Sequence, residues 1–333
     1  MFKYAIKRLL LMIPTLLGIM VITFAVVHMA PGDPASLKAQ TATEMLASEG
    51  MTREIVEKTR ELYGLDKPLH VQFLLWAKRV VTLDFGESYR DHRPVIAKIG
   101  EALPITLALN IITILVIYLI SVPIGVYSAL RPRGLLDRAS TVFFMALYSL
   151  PSFWVAMMLI VLLAGGDYLN IFPLTGIISQ GADSLPWYGW VANVSWHMVL
   201  PVVCLTYGGF AFVSRFTRAS MLEVIRQDYI RTARAKGLPE WKVAIKHALR
   251  NALIPLLTLM GTLLPALLGG SVIVEQIFSI PGMGRLGFES VLARDYPVIM
   301  AIATISAFLT LVSILLSDIM YAVVDPRISF GKR

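Results

Sequence analysis

Gln227–Pro255 reads Q-D-Y-I-R-T-A-R-A-K-G-L-P-E-W-K-V-A-I-K-H-A-L-R-N-A-L-I-P, and it belongs to the most cationic segment of an otherwise apolar chain. Ile225, Tyr229 and Ala233 recur every fourth residue, which predicts a helix of modest length ending near Lys236. Gly237 supplies the stop, because a helix C-terminus favours a residue that tolerates positive φ. Pro239 fits the first turn of a new helix, where its missing N–H costs nothing. Leu238, Trp241, Ile245 and Ala248/Leu249 then fall on one face, with Lys242, Lys246 and Arg250 to the side or opposite. The expectation is a helix, a glycine hinge, a short amphipathic helix and a return into apolar sequence at Ala252. On spacing alone, two readings stand side by side. Such a helix can lie in a lipid headgroup layer, or it can dock its apolar-aromatic knob into another protein's groove.

The sequence on either side sets the class. Of the 333 residues 56% are apolar and only 16% charged, with a mean hydropathy of +0.70. That is far more apolar side chain than a soluble domain needs, so the class is an all-α polytopic membrane protein. A single cysteine, Cys204, excludes a disulfide framework. The net charge of +8 does not indicate nucleic acid, because the cations cluster beside the apolar runs. Six charge-free runs are long enough for a crossing of about 20 residues. They lie within Leu9–Gly32, Ala102–Leu130, Ala139–Gly166, Ser184–Ser214, Asn251–Val274 and Tyr296–Ser317. The fourth is too long to be all membrane. Its Pro186–Val194 part, with Trp187, Tyr188 and Trp190, reads as an interfacial loop ahead of a span near His197–Ser214. Leu9–His28 is too long for a cleaved signal and is expected to be a retained span. Prolines 14, 104, 123, 151, 201 and 265 sit in or at the ends of spans and predict kinks.

Lysine and arginine set the orientation. With the N-terminus inside, the inner segments carry Lys3, Lys7, Arg8, Arg131, Arg133, Arg138, the nine cations from Arg215 to Arg250, and Arg327, Lys332 and Arg333. The two short outer loops carry only Arg285 and Arg294, so both termini are expected to be cytoplasmic. Asp33–Glu101 is a long external segment with cations and acids nearly balanced. Within it Glu44–Tyr63 has helical character, and Val71–Val81 reads as an amphipathic helix; the segment is expected to cap the outer face.

Chemistry-bearing motifs are few. No G-x-x-x-x-G-K-[ST] occurs, so any ATP and Mg must be handled by a partner, and no cofactor of the chain's own is expected. The five histidines come from separate segments without ligand spacing. Asp318 is the notable intramembrane acid, a functional candidate by default, although its place near the cytoplasmic end favours pairing with a basic loop. Glu275, at the outer end of the fifth run, can be solvated there, so it is weak evidence of an intramembrane acid. Glu275–Gly284, E-Q-I-F-S-I-P-G-M-G, ends a span and turns the chain at Pro281-Gly282. No internal repeat is visible, which counts against carriers built from inverted repeats.

The basic stretch resembles the cytoplasmic loop of the membrane subunits of ABC importers. Arg231-Thr232-Ala233 stands where the general pattern has Glu-Ala-Ala, Gly237 matches its glycine, and the proline of its ending appears later, as Pro255. R-T-A-R-A-K-G-L and H-A-L-R-N-A-L-I-P are typical of the peptide/nickel branch. The resemblance extends over nearly the whole chain, through His28–Pro34, Gly64–Pro68, Leu83–Ser88, Leu150–Trp154, Glu275–Gly284, Arg294–Val298 and Asp325–Ile328. The first span and its long outer loop resemble the first of the two permeases of dipeptide/oligopeptide importers.

That resemblance implies the type I (MetI-like) importer fold. It divides the chain into 1–101, a first span plus external cap; 102–325, a transmembrane domain with a coupling loop at 217–250; and 326–333, a cytoplasmic tail. It implies a second homologous permease, two cytoplasmic ATPase subunits, an extracytoplasmic binding protein and a plasma (inner) membrane location, with lipid around the spans and no nucleic acid. The residues it assigns to ATPase coupling are Asp228, Ala233, Arg234, Lys236, Gly237, Leu238, Trp241, Lys242 and Ile245. Those it assigns to an outer gate are Glu275, Pro281, Gly282 and Gly284. The function implied is transport of di- or oligopeptides without enzymatic activity of the chain itself. A nickel or other small-solute importer is the nearest alternative, an ion-coupled carrier the rival from another class, and a membrane enzyme a third.

Overall fold

The computed structural model describes residues 2–30, 57–58, 61, 64–165, 168–263 and 270–324. Among them the chain is helical throughout, with one isolated bridge between Glu87 and Pro94 and no strand. The helices are α1 Phe2–Met29, α2 Leu69–Val81, α3 Val95–Leu130, α4 Leu135–Tyr148, α5 Ser152–Leu163, α6 Trp187–Ile225, α7 Asp228–Ala235, α8 Glu240–Lys242, α9 Arg250–Leu263, α10 Val272–Ile277, α11 Met283–Leu292 and α12 Tyr296–Val324. A π-helical stretch, Val243–Leu249, joins α8 to α9 without a break. Among the described residues four helices are long and apolar enough to cross a membrane: Ile6–Met29, Val95–Leu130, Trp187–Ile225 and Tyr296–Leu316. The bent pair α4–α5 makes a fifth if it counts as one span. Of the expected fifth run, Arg250–Leu263 is helical, and 264–269 lie outside the described residues, as do most of Glu44–Tyr63 and the tail after 324.

The chain divides into two packing units. One comprises Met1–Pro104 and Leu286–Val312, the other Ile105–Arg285 and Ser313–Arg333. In the first, the expected amphipathic helix is present as α2, two residues longer at its start because Pro68 caps it. Its apolar stripe meets α1 and the start of α12 in a core of Met20, Phe24, Val27, Trp76, Tyr296 and Met300. Phe24 packs edge-on against Phe73 at 5.4 Å. His28 Nε2 lies 3.2 Å from Gln72 Oε1, so this histidine is spent on structure.

In the second unit, α3 and α6 approach closely because both carry glycine at the contact. A Cβ at Gly125 would sit 2.6 Å from the Ser214 carbonyl oxygen and from Thr217 Cβ, and one at Gly209 would collide with Ile117. Small residues at such crossings let helix backbones meet without clash. The kink expected at Pro151 is a full bend of 95° between α4 and α5. Pro151 has no N–H to continue the ladder, and at the bend the Leu150 carbonyl accepts from the Tyr207 hydroxyl at 2.8 Å.

The fourth run departs from expectation. Pro186–Val194 is not a loop: Pro186 caps α6, which then runs unbroken for 39 residues. Within Pro186–Val194 no residue after the capping proline breaks a helix, since Gly189 falls in the first turn; the one internal proline, Pro201, comes later and leaves the helix continuous. Side chains of that first segment also anchor it, with Trp196 Nε1 donating to the Ile171 carbonyl and Asn193 Nδ2 to Ser179 Oγ at 3.0 Å each.

Candidate functional site

The basic loop that follows α6 is built as two short helices around a glycine, as expected, but in a different phase. Helix α6 ends at Ile225, and Gln227 turns extended (φ −72°, ψ 150°) before α7 begins at Asp228. That break shifts the register. Ile230 and Ala233 are buried with Met221, Val243, Ala248 and Ala252, while Tyr229 stays exposed and its hydroxyl accepts from Asn251 Nδ2 at 2.7 Å. Gly237 has φ +75°, and its N–H bonds back to the Arg234 carbonyl at 2.9 Å, the left-handed stop that the sequence calls for. Pro239 caps α8 rather than lying inside its first turn.

The single apolar face expected for the second helix is split in two. Leu238 is half-buried and Val243, Ala244 and Ala248 are buried, whereas Trp241 and Ile245 are 62% and 56% exposed. The π-helical stretch is the cause. Bonding i→i+5 adds roughly one residue to the turn, so Ala248 rotates away from Ile245 into the core. The cations also sort themselves. Arg234 is engaged by Glu240 in a two-pronged pair at 2.8 and 3.3 Å, which ties α7 to α8 across the glycine. Lys242 Nζ stands 5.5 Å over the Trp241 ring, Lys236 is exposed, and Asp228 pairs with Arg231 at 3.2 Å in full solvent, where a pair contributes little. The result is an exposed Trp-Ile pair with basic neighbours on a rigid, buried base.

At the second site the solvation open to Glu275 at a span end is not used. Glu275 is not solvated; its side chain is 0% exposed. The Thr106 hydroxyl donates to Oε1 at 3.1 Å and the Ser271 N–H at 3.3 Å, while the Arg285 N–H donates to Oε2 at 2.9 Å. Thr106 Oγ1 in turn accepts from the Met283 N–H at 2.8 Å. Buried carboxylates persist when their oxygens are filled by donors in this way. Gly282 and Gly284 are the reason the chain can wrap so tightly. A Cβ on Gly282 would fall 2.6 Å from the Glu275 carboxyl carbon, and one on Gly284 2.8 Å from the Val272 nitrogen. Pro281 is exposed at the turn. Spacing could not reveal this cradle, because the side chain that covers Oε1, Thr106, comes from α3, 169 residues away.

Two further polar clasps went unread in the sequence. Asp137, the buried acid in the first turn of α4, accepts from Arg218 Nε (2.7 Å) and Nη2 (2.9 Å) on α6 and from the Arg133 N–H (2.8 Å). In the other unit, buried Asp295 accepts from the Ser88 hydroxyl and from the Tyr89 N–H at 2.9 Å. Lys98 Nζ reaches both Ser88 Oγ (3.1 Å) and Asp91 (2.9 Å), and Arg90 pairs with Glu289 at 3.1 Å. Leu83–Ser88 and Arg294–Val298, two separate runs in the sequence, thus meet at one carboxylate. Burial alone pushes the Asp91 carboxyl up, but Lys98, Ser88 and the Arg93 N–H outweigh it and hold it at about 2. Asp318 lies half-buried on α12. Among the described residues no three His, Cys, Asp or Glu side chains converge on a metal-sized space.

Comparison with known proteins bears on both packing units. Residues 121–330 match the family described as binding-protein-dependent transport system inner membrane component, and residues 1–110 match its N-terminal region. The chain is 41% identical to the oligopeptide transport system permease protein AppB of Bacillus subtilis, over 99% of this chain and all of that one. It is 37% identical to the dipeptide transport system permease protein DppB of the same organism, over the whole of both. It is 36% identical to the peptidoglycan transport system permease protein YejB of Agrobacterium fabrum, over 99% of each.

Proposed function

The chain belongs to the binding-protein-dependent transport system inner membrane component family, and we propose that it is the permease through which an ATP-driven importer passes di- or oligopeptides. It is a multi-pass membrane protein and a transport subunit. The peptide substrate rests on its relatives, which carry oligopeptide and dipeptide transport names along their full length. The observation that carries the mechanism is the exposed Trp241–Ile245 pair on its buried base. An apolar knob of this kind, with basic neighbours, has the form of a helix-in-groove docking element.

In this reading the loop sits on the cytoplasmic side and the knob seats in a cleft of an ATPase subunit. The partner subunits hold ATP and Mg. Six spans, both termini cytoplasmic, follow if the described helix Arg250–Leu263 and the segment after it complete a fifth crossing. A second homologous permease, two ATPases and an extracytoplasmic binding protein complete the assembly in the plasma (inner) membrane. Closure of the ATPases would press on Trp241 and Ile245. The Arg234–Glu240 pair and the Ile230–Ala233 contact would pass that push into α6 and α9 as a rigid unit. The segment built around Glu275, Pro281, Gly282 and Gly284 would hold the outer end of the pathway. Asp318, half-buried on α12, would act by pairing near the cytoplasmic end.

The test is co-purification in mild detergent followed by reconstitution. The tagged chain is expected to bring down a second permease and ATPase subunits, and the reconstituted complex to take up labelled peptide only with ATP and the binding protein. A chain that purifies alone and moves peptide in liposomes without ATP overturns the proposal.

A further inference from the structure

Between α4 and α6 lies a cleft of about 900 Å³ whose walls change character along its length. At one end stand Arg133, Arg138 and Arg218, with Asp137 as the single acid lining the cleft. That acid is spent, since Arg218 engages both its oxygens and the Arg133 N–H adds a third bond. The guanidinium groups of Arg133 and Arg138 form no ion pair among the described residues. Arg215, one turn further along α6, has only the Met145 sulfur, at 3.4 Å. Three cations therefore face the cleft uncompensated.

Toward the other end the lining turns apolar. Val142, Met145 and Tyr148 come from α4, and Phe212 and Phe216, stacked at 6.0 Å, from α6. Of these, Val142, Tyr148 and Phe212 are more than half exposed. From Asp137 to Tyr148 the helix advances roughly 16 Å at 1.5 Å per residue. Half of a hydrocarbon core of about 30 Å has the same length.

We propose that this cleft is a binding site for one anionic phospholipid, with its phosphate at Arg133 and Arg138 and an acyl chain along Val142, Met145 and Phe212. Arg215, one turn deeper, meets the ester carbonyls below the phosphate. A soluble anion would use the arginines and leave the apolar wall bare. A neutral lipid would fill the wall and leave three cations unpaired beside it. Only an amphiphile with a negative head satisfies both ends at once, and basic pockets between helices at membrane surfaces bind such headgroups.

The test uses the intact complex, purified in mild detergent, exchanged into micelles carrying dioleoylphosphatidylglycerol and weighed by native mass spectrometry. Wild type is expected to retain the lipid against dilution, and R138Q/R215Q to retain it with affinity lower by roughly tenfold or more, since two cations facing the headgroup are removed. R138K/R215K, which keeps the charge, is expected to hold the lipid in the same preparation, and this separates lost binding from lost folding. Val142→Asp, which leaves every arginine in place, is expected to weaken retention as well. Equal retention by wild type and R138Q/R215Q overturns the site. So does displacement by inorganic phosphate at the lipid's own concentration, which would make it a plain anion site. A Val142→Cys complex that cross-links to a neighbouring subunit and carries no lipid overturns it too, because the cleft would then be a subunit contact.

Discussion

Thr106 and Glu275, 169 residues apart in the chain, share a hydrogen bond of 3.1 Å, and the same threonine oxygen accepts the Met283 N–H at 2.8 Å. One hydroxyl thus serves as donor to a buried carboxylate and acceptor for a buried amide, and it joins α3 to both sides of the Pro281-Gly282 turn. Thr106→Val removes both bonds at constant shape, and unsatisfied buried groups cost about 1–3 kcal/mol each. The thermal midpoint of the purified complex should fall for Thr106→Val and stay near wild type for Thr106→Ser. Equal loss in both variants would mean that the methyl packing matters and the hydroxyl does not.

Asp137 and Arg218 form the one described pair that links α4 to α6 through charge, with the acid 8% and the arginine 32% exposed on the side chain. Hydrogen bonds to charged groups contribute about 1.5–3 kcal/mol. Asp137→Asn should therefore lower the unfolding midpoint measurably, and more than Asp228→Asn, whose pair with Arg231 is solvent-exposed. The comparison needs only two thermal melts on the same preparation. Indistinguishable losses would place the pair among the inert surface contacts.

Gly125 and Gly208 are both helical glycines with opposite surroundings. A methyl at Gly125 meets the Ser214 backbone at 2.6 Å, and one at Gly208 has nothing within 4 Å. Alanine at 208 should be neutral or stabilising by up to about 1 kcal/mol through helix propensity. Alanine at 125 must spread α3 from α6 and should cut the yield of folded complex. Size-exclusion profiles after membrane extraction read both effects, and a normal profile for Gly125→Ala would disprove the close approach.

Trp241 and Val243 are two residues apart and separate docking from folding. Trp241→Glu alters an exposed ring and should leave insertion and assembly of the chain intact while uncoupling peptide uptake from ATP hydrolysis. Val243→Glu buries a charge in the loop core and should abolish accumulation of the chain in the membrane. Unchanged uptake by the Trp241→Glu transporter would end the docking assignment.

Asp91 gives a pH signature. Its carboxyl sits at about 2, below the ordinary 3.8, so its contribution is fully present above pH 4 and is lost as pH falls from about 4 toward 2. Amide exchange of residues 87–98 should accelerate over that window, and Lys98→Met should shrink the change and end it at a higher pH, because the folded-state carboxyl then sits nearer its ordinary value. A profile identical in wild type and Lys98→Met would remove Lys98 as the cause.

Much of this was legible from residue spacing and composition. The stop at Gly237, the amphipathic helix at Val71–Val81 and the break at Pro151 each depend on a residue whose backbone limits or face pattern act locally. What spacing misread were positions where phase depends on a neighbour. Ile230 replaces Tyr229 in the core because α6 breaks at Gln227, and Ala248 leaves the Trp241 face because the helix widens to pack Val243 and Ala244. Pro186–Val194 looked like a loop only because aromatic residues suit an interface as well as a helix. The burial of Glu275 was not legible because nothing near it in sequence showed that Thr106 would cover it.

By itself the sequence determined the class of protein, the number of apolar runs, the place of the basic loop and its hinge. These follow from transfer free energy and from the backbone restrictions of single residues, which act wherever the residue lies. Tertiary structure alone decided which side chains of that loop face outward, which carboxylates are clasped and where three arginines are left facing an apolar wall. Those outcomes depend on helices far apart in the chain coming within hydrogen-bond distance. No local period records such a meeting.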